Sequence, residues 1–405
     1  MVPPVQLPHS LIRLLKSLSP LPLHPLYLFT GALALGIAWQ ASNLTFTIPL
    51  AAGLILFLLF SPRLRGQKYI LTIVSTSTIF LLGALRHQER VSNFNAFHRL
   101  IGHRPVRIVS QVVDCEPDYR KPGNFIATLS IQMAQSSPST GETGGPSRAR
   151  VHQFDSKIVT DQRLVVHIGT TDGKPPPFEV GDTVALERIF FRSPPDGGEY
   201  GQYLIKEGLI AHAHSKSEEF MVITHPDWSL NRTIANLRNR TIAALRDRLT
   251  PQTFSLFTSI FWGKHALDRE ESTEIREAFR PWGVLHYLAR SGLHLTLLIA
   301  LLERMISLFP IPFMVRTLLG AALVGAYALI SWSSISFTRA ILVFFLFVIA
   351  TLLWIPSQGI YRLSLVCFII LLLNPLQLFF LDFQLSFLVT AILMWLSMLS
   401  KAENS

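Results

Sequence analysis

The sequence has few charged residues and only two cysteines. Asp, Glu, Lys and Arg make up 15% of the 405 residues, whereas they make up roughly a quarter of a soluble globular protein. Cys115 lies in a polar stretch and Cys367 in an apolar run, so a disulfide between them would join an aqueous domain to a bilayer interior. We therefore expect two free thiols, which say little about the redox compartment. The shortage of charge argues against an ordinary soluble protein.

Apolar residues, in contrast, are abundant, and they are concentrated in two blocks that flank a polar stretch from about residue 86 to about residue 250. A helix needs roughly 20 mostly apolar residues to cross a bilayer. The pattern therefore predicts a polytopic α-helical membrane protein of about eight transmembrane helices with an inserted soluble domain. The predicted spans are 23–39, 44–60, 69–85, 284–309, 314–331, 336–354, 360–373 and 383–399. The seventh is short and runs into Asn374-Pro375, which indicates a broken or re-entrant element.

Lysine and arginine in the short loops predict the orientation of these helices, because such residues stay on the cytoplasmic side. With a cytoplasmic N-terminus, the basic loop residues fall on the inner side and residues 86–250 lie on the outer face. The outer connections near residues 332–334 and 374–382 contain no lysine or arginine. The inner basic residues are Arg13, Lys16, Arg63, Arg65, Lys68, Arg304, Arg316, Arg362 and Lys401.

The polar insertion alternates at strand period between residues 106 and 215, with Gly- and Pro-containing turns between the apolar segments. About five strands are predicted, at residues 106–113, 125–132, 163–168, 184–191 and 209–214. Several short strands joined by such turns are typical of a small barrel or sandwich. A small all-β, OB-like barrel fits this count, and an unrelated sandwich fits it equally well.

An OB-like barrel would suggest binding of single strands, which such barrels hold with basic grooves and stacking aromatic side chains. The candidates lie on the fourth predicted strand and are Arg188, Phe190, Phe191 and Arg192. The alternative, which we favour, is that one phenylalanine is core and both arginines are solvated.

A basic, moderately amphipathic helix is predicted at residues 231–249, just before the second apolar block. Such a helix usually lies on a lipid surface, although DNA phosphate would be an equally good counterion. Charge alone does not separate these two partners, and the lipid surface is the commoner one. The basic residues are Arg232, Arg238, Arg240, Arg246 and Arg248.

The fourth predicted span begins with a polar stripe. His286, Arg290 and His294 recur every four residues, with Ser291 beside them. Ionisable residues inside a bilayer usually face a partner or a water-filled path, although Arg290 could also extend to the outer interface. We expect no metal site, since two histidines eight residues apart lie about 12 Å apart along a helix. An intramembrane serine hydrolase is a weak alternative, because Ser291 and His294 are poorly directed for proton transfer.

Several short motifs in this order resemble the ComEC family of DNA-uptake channel proteins. They are Phe-Trp-Gly-Lys at 261–264, Phe-Arg-Pro-Trp-Gly-Val-Leu-His at 279–286, Ser-Gly-Leu-His at 291–294, Thr-Arg-Ala at 338–340, and Phe-Gln-Leu-Ser-Phe at 383–387 after Asn374-Pro375. The insertion adds Gly-Gly-Glu-Tyr at 197–200, then Tyr203-Leu204 and Gly-Leu-Ile at 208–210, similar to a stretch of the family's OB-like domain.

The resemblance implies a multi-pass protein of the bacterial inner membrane that conducts single-stranded DNA inward during natural transformation, without catalysis or a cofactor. Its partners would be single-stranded DNA, membrane lipids, other competence proteins or a separate C-terminal half, and it could form an oligomer. The hypothesis is that His286, Arg290, Ser291, His294, Arg339 and Gln384 line or brace the DNA path. Gly292, Ser386 and also Ser291 are instead expected to be helix-packing positions, because small residues permit close approach.

The chain also departs from the family pattern. Arg290 stands where the family usually has an aliphatic residue, and Tyr200-Gly201 replaces Phe-Asp. Family members usually continue beyond the position of Ser405 into further spans and a metallo-β-lactamase-like domain, whose His-x-His-x-Asp-His motif is not seen here. A truncated or split remnant with a structural membrane role is therefore an alternative. The expected organisation is a membrane block (1–85), an OB-like domain (86–227), linking helices (228–282), a competence-type membrane domain (283–400) and a tail (401–405).

Overall fold

A computed structural model describes residues 25–42, 67–101, 106–118, 121, 123–136, 162–170, 174–191, 199–262, 281, 292–331, 334–355 and 358–403 of the chain. The chain divides into two units, one comprising residues 1–88 with 342–405 and the other residues 89–341. Both cysteines are free thiols, as predicted, and burial raises the pKa of Cys115 to about 12.

The described segments form ten α-helices and six β-strands. The helices are α1 (Pro25–Ser42), α2 (Gln67–Ile101), α3 (Glu199–Glu207), α4 (Leu230–Arg246), α5 (Pro251–Phe257), α6 (Gly292–Ile306), α7 (Phe313–Ile330), α8 (Ile335–Leu352), α9 (Gly359–Leu373) and α10 (Leu381–Glu403). The strands are β1 (Val106–Pro117), β2 (Phe125–Ser136), β3 (Gln162–Gly169), β4 (Thr183–Ile189), β5 (Leu209–Lys216) and β6 (Phe220–Thr224).

Three of the described helices are long and apolar enough to cross a membrane. They are Phe313–Ile330 in α7, Ile335–Leu352 in α8 and Leu381–Met398 in α10, and each matches a predicted span. Shorter apolar helices occupy Phe29–Ala38 and Gly359–Leu373, where two further spans were predicted. The predicted span at 44–60 and residues 284–291 lie outside the described part of the chain. The count of about eight spans is therefore not confirmed.

Helix α2 is much longer than the span predicted at 69–85. It has 35 residues, or about 52 Å at 1.5 Å per residue, and it continues past the apolar segment as far as Ile101. The added turns carry Phe97, which is fully buried in the core of the sheet domain. The soluble domain therefore begins as a continuation of this helix, whereas the sequence suggested a boundary near residue 86.

In the first unit, small residues let helices approach closely. A Cβ at Gly36 of α1 would collide with the carbonyl oxygen of Phe80 in α2, and a Cβ at Gly83 would lie 2.6 Å from the Leu33 carbonyl oxygen. Such close backbone contact is typical of helix packing in membranes. Helix α1 also contacts α9, where the rings of Tyr27 and Tyr361 stack at 5.5 Å.

The predicted break at Asn374-Pro375 is confirmed. Helix α9 ends at Leu373 and a 3₁₀ turn follows at Pro375–Phe379 before α10 begins. Proline has no N–H to extend the hydrogen bonding of the preceding helix. The re-entrant alternative stays a prediction.

The six strands form one mixed sheet in the order β5-β3-β2-β1-β4-β6. All neighbours are antiparallel except β3 and β5, which are parallel. Alternation decides which side chains are buried, as in β1, where Val106, Ile108 and Val112 lie in the core and Arg107 and Gln111 do not. The five predicted strands are all present, because this period-2 pattern is local to each segment.

The sixth strand, β6, was not predicted. Its sequence Phe-Met-Val-Ile-Thr is apolar without alternation, and only Phe220 is buried while Met221 and Ile223 are exposed. β6 joins the sheet by pairing with β4, and this pairing cannot be predicted from the sequence of the strand alone. The soluble domain therefore has six strands where about five were expected.

Candidate functional site

Two motifs that lie 47 residues apart in the sequence meet between helices α6 and α8. Gly292, the first residue of α6, lies directly under the side chain of Arg339 in α8. A Cβ added to Gly292 would lie 2.9 Å from an Nη atom of Arg339 and 3.5 Å from the Cβ of Ala340. The absence of a side chain at Gly292 therefore creates the space that the guanidinium occupies.

Arg339 is a charged residue in a strongly apolar helix. Helix α8 reads Ile-Ser-Phe-Thr-Arg-Ala-Ile-Leu-Val-Phe-Phe, and Arg339 is its fifth residue. The side chain is partly buried. An ionisable residue within a spanning helix usually faces a partner or a water-filled path, so its place above a glycine calls for a functional or structural explanation.

Of the predicted polar stripe, the structure describes only the end. His294 is partly buried on α6, two residues beyond Gly292. His286, Arg290 and Ser291 lie outside the described residues. The structure thus brings Gly292 and Arg339 together and leaves the rest of the predicted set as a hypothesis.

Gln384 and Ser386 belong to the other unit and have local contacts there. The Gln384 side-chain amide donates a 2.8 Å hydrogen bond to the carbonyl oxygen of Leu378 and so closes the 3₁₀ turn before α10. The carbonyl of Ser386 accepts a hydrogen bond from the Thr390 hydroxyl at 2.7 Å. Phe383 and Phe387 are buried, with ring centroids 4.5 Å apart. This motif therefore shapes the start of α10.

Helix α4 is the predicted basic helix, and Arg232 attaches it to the sheet domain. Its guanidinium donates to Asp182 Oδ1 at 2.7 Å and to the carbonyl oxygens of Val180 and Pro226, each at 3.0 Å. Asp182 is buried and also lies 2.8 Å from His225. A buried carboxylate needs such a partner. Arg232 is thus a structural counterion of Asp182.

Arg238, which lies further along α4, also attaches this helix to the sheet domain. It is buried and pairs with Asp114 of β1. The side chains of Arg240, Arg246 and Arg248 are exposed. Arg240 and Arg246 lie on the exposed face of α4, and Arg248 follows its C-terminal end. The sequence had not separated these three residues from the two that anchor the helix.

Helix α4 also connects the sheet to an apolar helix of the same unit, because it packs against both β1 and α7. The segment that follows it ends in a π-helical turn at Thr258–Trp262. The Tyr327 hydroxyl donates to the Phe261 carbonyl oxygen, and the Ser331 hydroxyl lies 3.3 Å from it. The linking segment is therefore tied to the C-terminal end of α7.

The predicted aromatic candidates have different environments. Phe191 is 5% exposed and belongs to the sheet core, whereas Phe190 is 62% exposed. The interpretation that one phenylalanine is core is thus confirmed for Phe191. Arg192 and the side chain of Arg188 lie outside what the structure describes.

Three histidines that the sequence analysis did not single out form a cluster on β3 and β5. The parallel register sets Val165 beside His212 and His167 beside His214. The His167 ring stacks on His214 at 5.0 Å and on His212 at 5.7 Å. Burial, and then the neighbouring imidazoles of His167 and His214, lower the pKa of His212. The signal was the His-x-His spacing at 212–214, which points both rings to one face.

This cluster lacks the geometry of a metal site. Within the described part of the chain, no group of three or more His, Cys, Asp or Glu side chains could hold a metal ion.

Comparison with protein families gives one match. Residues 267–404 match the family model described as Competence protein. The matched range includes the helices from α6 to α10. Comparisons with curated proteins and with solved structures gave no match. The predicted resemblance to the competence-protein family is therefore confirmed over residues 267–404.

Proposed function

We propose that this chain is a component of an inner-membrane channel that takes up single-stranded DNA during natural transformation. The family match of residues 267–404 supports a role in competence. The observation that carries the proposal is Arg339 over Gly292, because a cation among apolar helices suits a path for a polyanion. Contacts of this kind bind phosphates without reading bases.

In the proposed mechanism the chain carries out no covalent chemistry. Arg339 and His294 would lie along the path and lower the electrostatic cost of moving phosphates through an apolar layer. His286, Arg290, Ser291 and Gln384 are proposed as further lining or bracing residues. Arg240, Arg246 and Arg248, with Arg188 and Arg192, are proposed to contact DNA or anionic lipid.

The soluble domain is proposed to be OB-like. Its first five strands follow the order β5-β3-β2-β1-β4, and the two end strands β4 and β5 also approach each other. That closure is what a five-stranded, partly open barrel requires. Strand β6 is an addition beyond β4. The domain is proposed to face the outer side of the membrane, with a cytoplasmic N-terminus, where it would meet incoming DNA.

The test is uptake of labelled DNA into the cytoplasm of a strain deleted for this chain and complemented with variants. Arg339→Ala is expected to lower cytoplasmic DNA by about tenfold, the effect of losing about 1.4 kcal/mol of stabilisation for phosphate in the path. Arg339→Lys keeps the charge and should retain part of the activity. Gly292→Ala should act in the same direction, because its Cβ would displace the guanidinium.

Arg304→Ala is the matched control, since Arg304 is exposed in the last turn of α6. It should leave uptake unchanged at equal membrane abundance. Normal uptake with Arg339→Ala would overturn the role of Arg339. Normal uptake in the deletion strain itself would overturn the channel and favour a redundant or remnant protein.

A further inference from the structure

The sheet domain contains a cleft of about 550 Å³ next to the histidine cluster. Lys121 lies in the turn after β1, His167 on β3, and His214 and Lys216 on β5. Phe190, which follows β4, also lines the cleft. The turn after β1 is held by backbone hydrogen bonds from Asp118 to Asn124 at 2.8 Å and from Lys121 to Asp118 at 3.1 Å. The cleft is therefore bounded by ordered strands and a closed turn.

Three aromatic rings, those of His167, Phe190 and His214, contribute to the lining of this cleft. The imidazoles of His167 and His214 stack with an interplanar angle of 25°, and the Phe190 ring is largely exposed beside the buried Phe191. Exposed aromatic faces in a cleft offer stacking surface for another planar group. Base–aromatic stacking works for every base, since each has a π-face.

The charges in the cleft are balanced, and this narrows the class of ligand. Lys121 and Lys216 line the cleft together with two carboxylates, Asp118 and Glu219. The Glu219 carboxylate accepts hydrogen bonds from the Ser215 hydroxyl at 2.7 Å and from the Lys216 backbone at 3.3 Å, so it holds the turn after β5. A site with two cations and two anions is a poor trap for free phosphate. It suits a planar base whose flanking phosphates reach the two lysines.

We propose that this cleft binds one unpaired base of single-stranded DNA, stacked on the exposed Phe190 ring and flanked by the His167–His214 pair, with Lys121 and Lys216 contacting the adjacent phosphates. The choice of DNA as the ligand rests on the proposed function, and the stacking chemistry rests on the cleft itself. Duplex DNA does not fit, because its bases are already stacked and paired.

The binding experiment uses the full chain in nanodiscs of zwitterionic phosphatidylcholine and a fluorescein-labelled 12-nucleotide oligothymidylate, followed by fluorescence anisotropy. Phe190→Ala should raise the Kd roughly fivefold to a hundredfold, the usual effect of removing one stacking platform. The matched control is Trp228→Ala, which removes another aromatic ring, 73% exposed, outside the cleft. It should leave the Kd unchanged, and both variants should unfold at the same temperature as the parent.

Two further measurements separate base stacking from general charge attraction. An oligonucleotide of the same length made of abasic sites should compete poorly with oligothymidylate, because it has the phosphates but no bases. Oligothymidylate carrying 5-bromodeoxyuridine should photocross-link to peptides that contain Phe190, His167 or His214. Equal competition by the abasic strand, or an unchanged Kd for Phe190→Ala, would overturn the proposal.

The outcomes are distinct from those that test the channel. If Phe190→Ala weakens binding while Arg339→Ala leaves uptake normal, the base site stands and the role of Arg339 in the channel falls. If Arg339→Ala blocks uptake while the cleft shows no cross-link, the channel stands and the base site falls.

Discussion

Apolar residues have opposite placements in the sheet domain and in the long apolar helices. In the sheet, Ile108, Leu129 and Leu164 are fully buried. In the spanning segments of α7, α8 and α10, only 11% of the residues are buried within the protein. Both regions contain many apolar side chains, so the difference is in what covers them. The sheet buries them against itself, whereas the helices leave most of them uncovered, which suits contact with lipid.

The largest expected effect contrasts one leucine from each region. Leu129→Ala in the centre of the sheet should lower the free energy of unfolding of that domain by about 3–4 kcal/mol, through lost burial and a cavity. Leu329→Ala on α7, where Leu329 is 62% exposed, should change it by less than about 0.5 kcal/mol. Hydrogen exchange of the sheet amides in the full chain measures both. Similar losses for the two variants would contradict the contrast.

The next effect concerns how helix α4, which packs on the sheet domain, accommodates its arginines. Asp182→Asn should destabilise the sheet domain by about 2–3 kcal/mol, because it removes a charge that compensates Arg232. The expected destabilisation is smaller than that of leaving the Arg232 guanidinium without any partner. In the Asp182→Asn variant, Arg232 still contacts Glu179 at 3.1 Å and two backbone carbonyl oxygens.

Arg240→Ala on the exposed face of the same helix is the control and should stay within about 0.5 kcal/mol. Both can be followed by the same hydrogen-exchange measurement. A neutral Asp182→Asn would mean that the pair is not a structural anchor.

The smallest expected effect is a pH dependence of the stability of the sheet domain. Burial lowers the pKa of His98, and burial with the neighbouring imidazoles lowers that of His212. The unfolded chain then binds more protons than the folded one below the ordinary histidine pKa of about 6.5. The free energy of unfolding should therefore be higher at pH 7.5. It should decline as the pH falls through 6.5 towards the lower pKa values of these histidines in the folded state.

The measurement is the thermal unfolding of the full chain at pH 7.5 and 5.5, a range that lies above the usual titration of carboxylates. His212→Asn should reduce the difference between the unfolding temperatures at the two pH values. Constant or increasing stability at pH 5.5 would contradict the assignment.

Much of the fold was predictable because it depends on local patterns. Period-2 alternation located β1 to β5, and apolar runs located α7, α8 and α10. Asn374-Pro375 located the end of α9. Strand β6 and the continuation of α2 were missed, since each owes its place to the sheet core and not to its own sequence pattern.

For the candidate site, the sequence supplied the residues but not their contacts. The motifs at 291–294 and 338–340 were both noted, yet nothing in either one predicted that Gly292 would lie under Arg339. The histidine cluster was missed because His167 and His214 are distant in the chain and become neighbours only through the parallel pairing of β3 and β5.

By itself, the sequence determined the long apolar helices, the strands of the insertion and the competence-type motifs, because composition, periodicity and short motifs are properties of contiguous residues. Only the tertiary structure decided which arginines are available to a polyanion. Arg232 and Arg238 look like their neighbours in the sequence, but they pair with Asp182 and Asp114, about 50 and 124 positions earlier in the chain. A charge is neutralised by what lies beside it in space, and chain folding sets that neighbour.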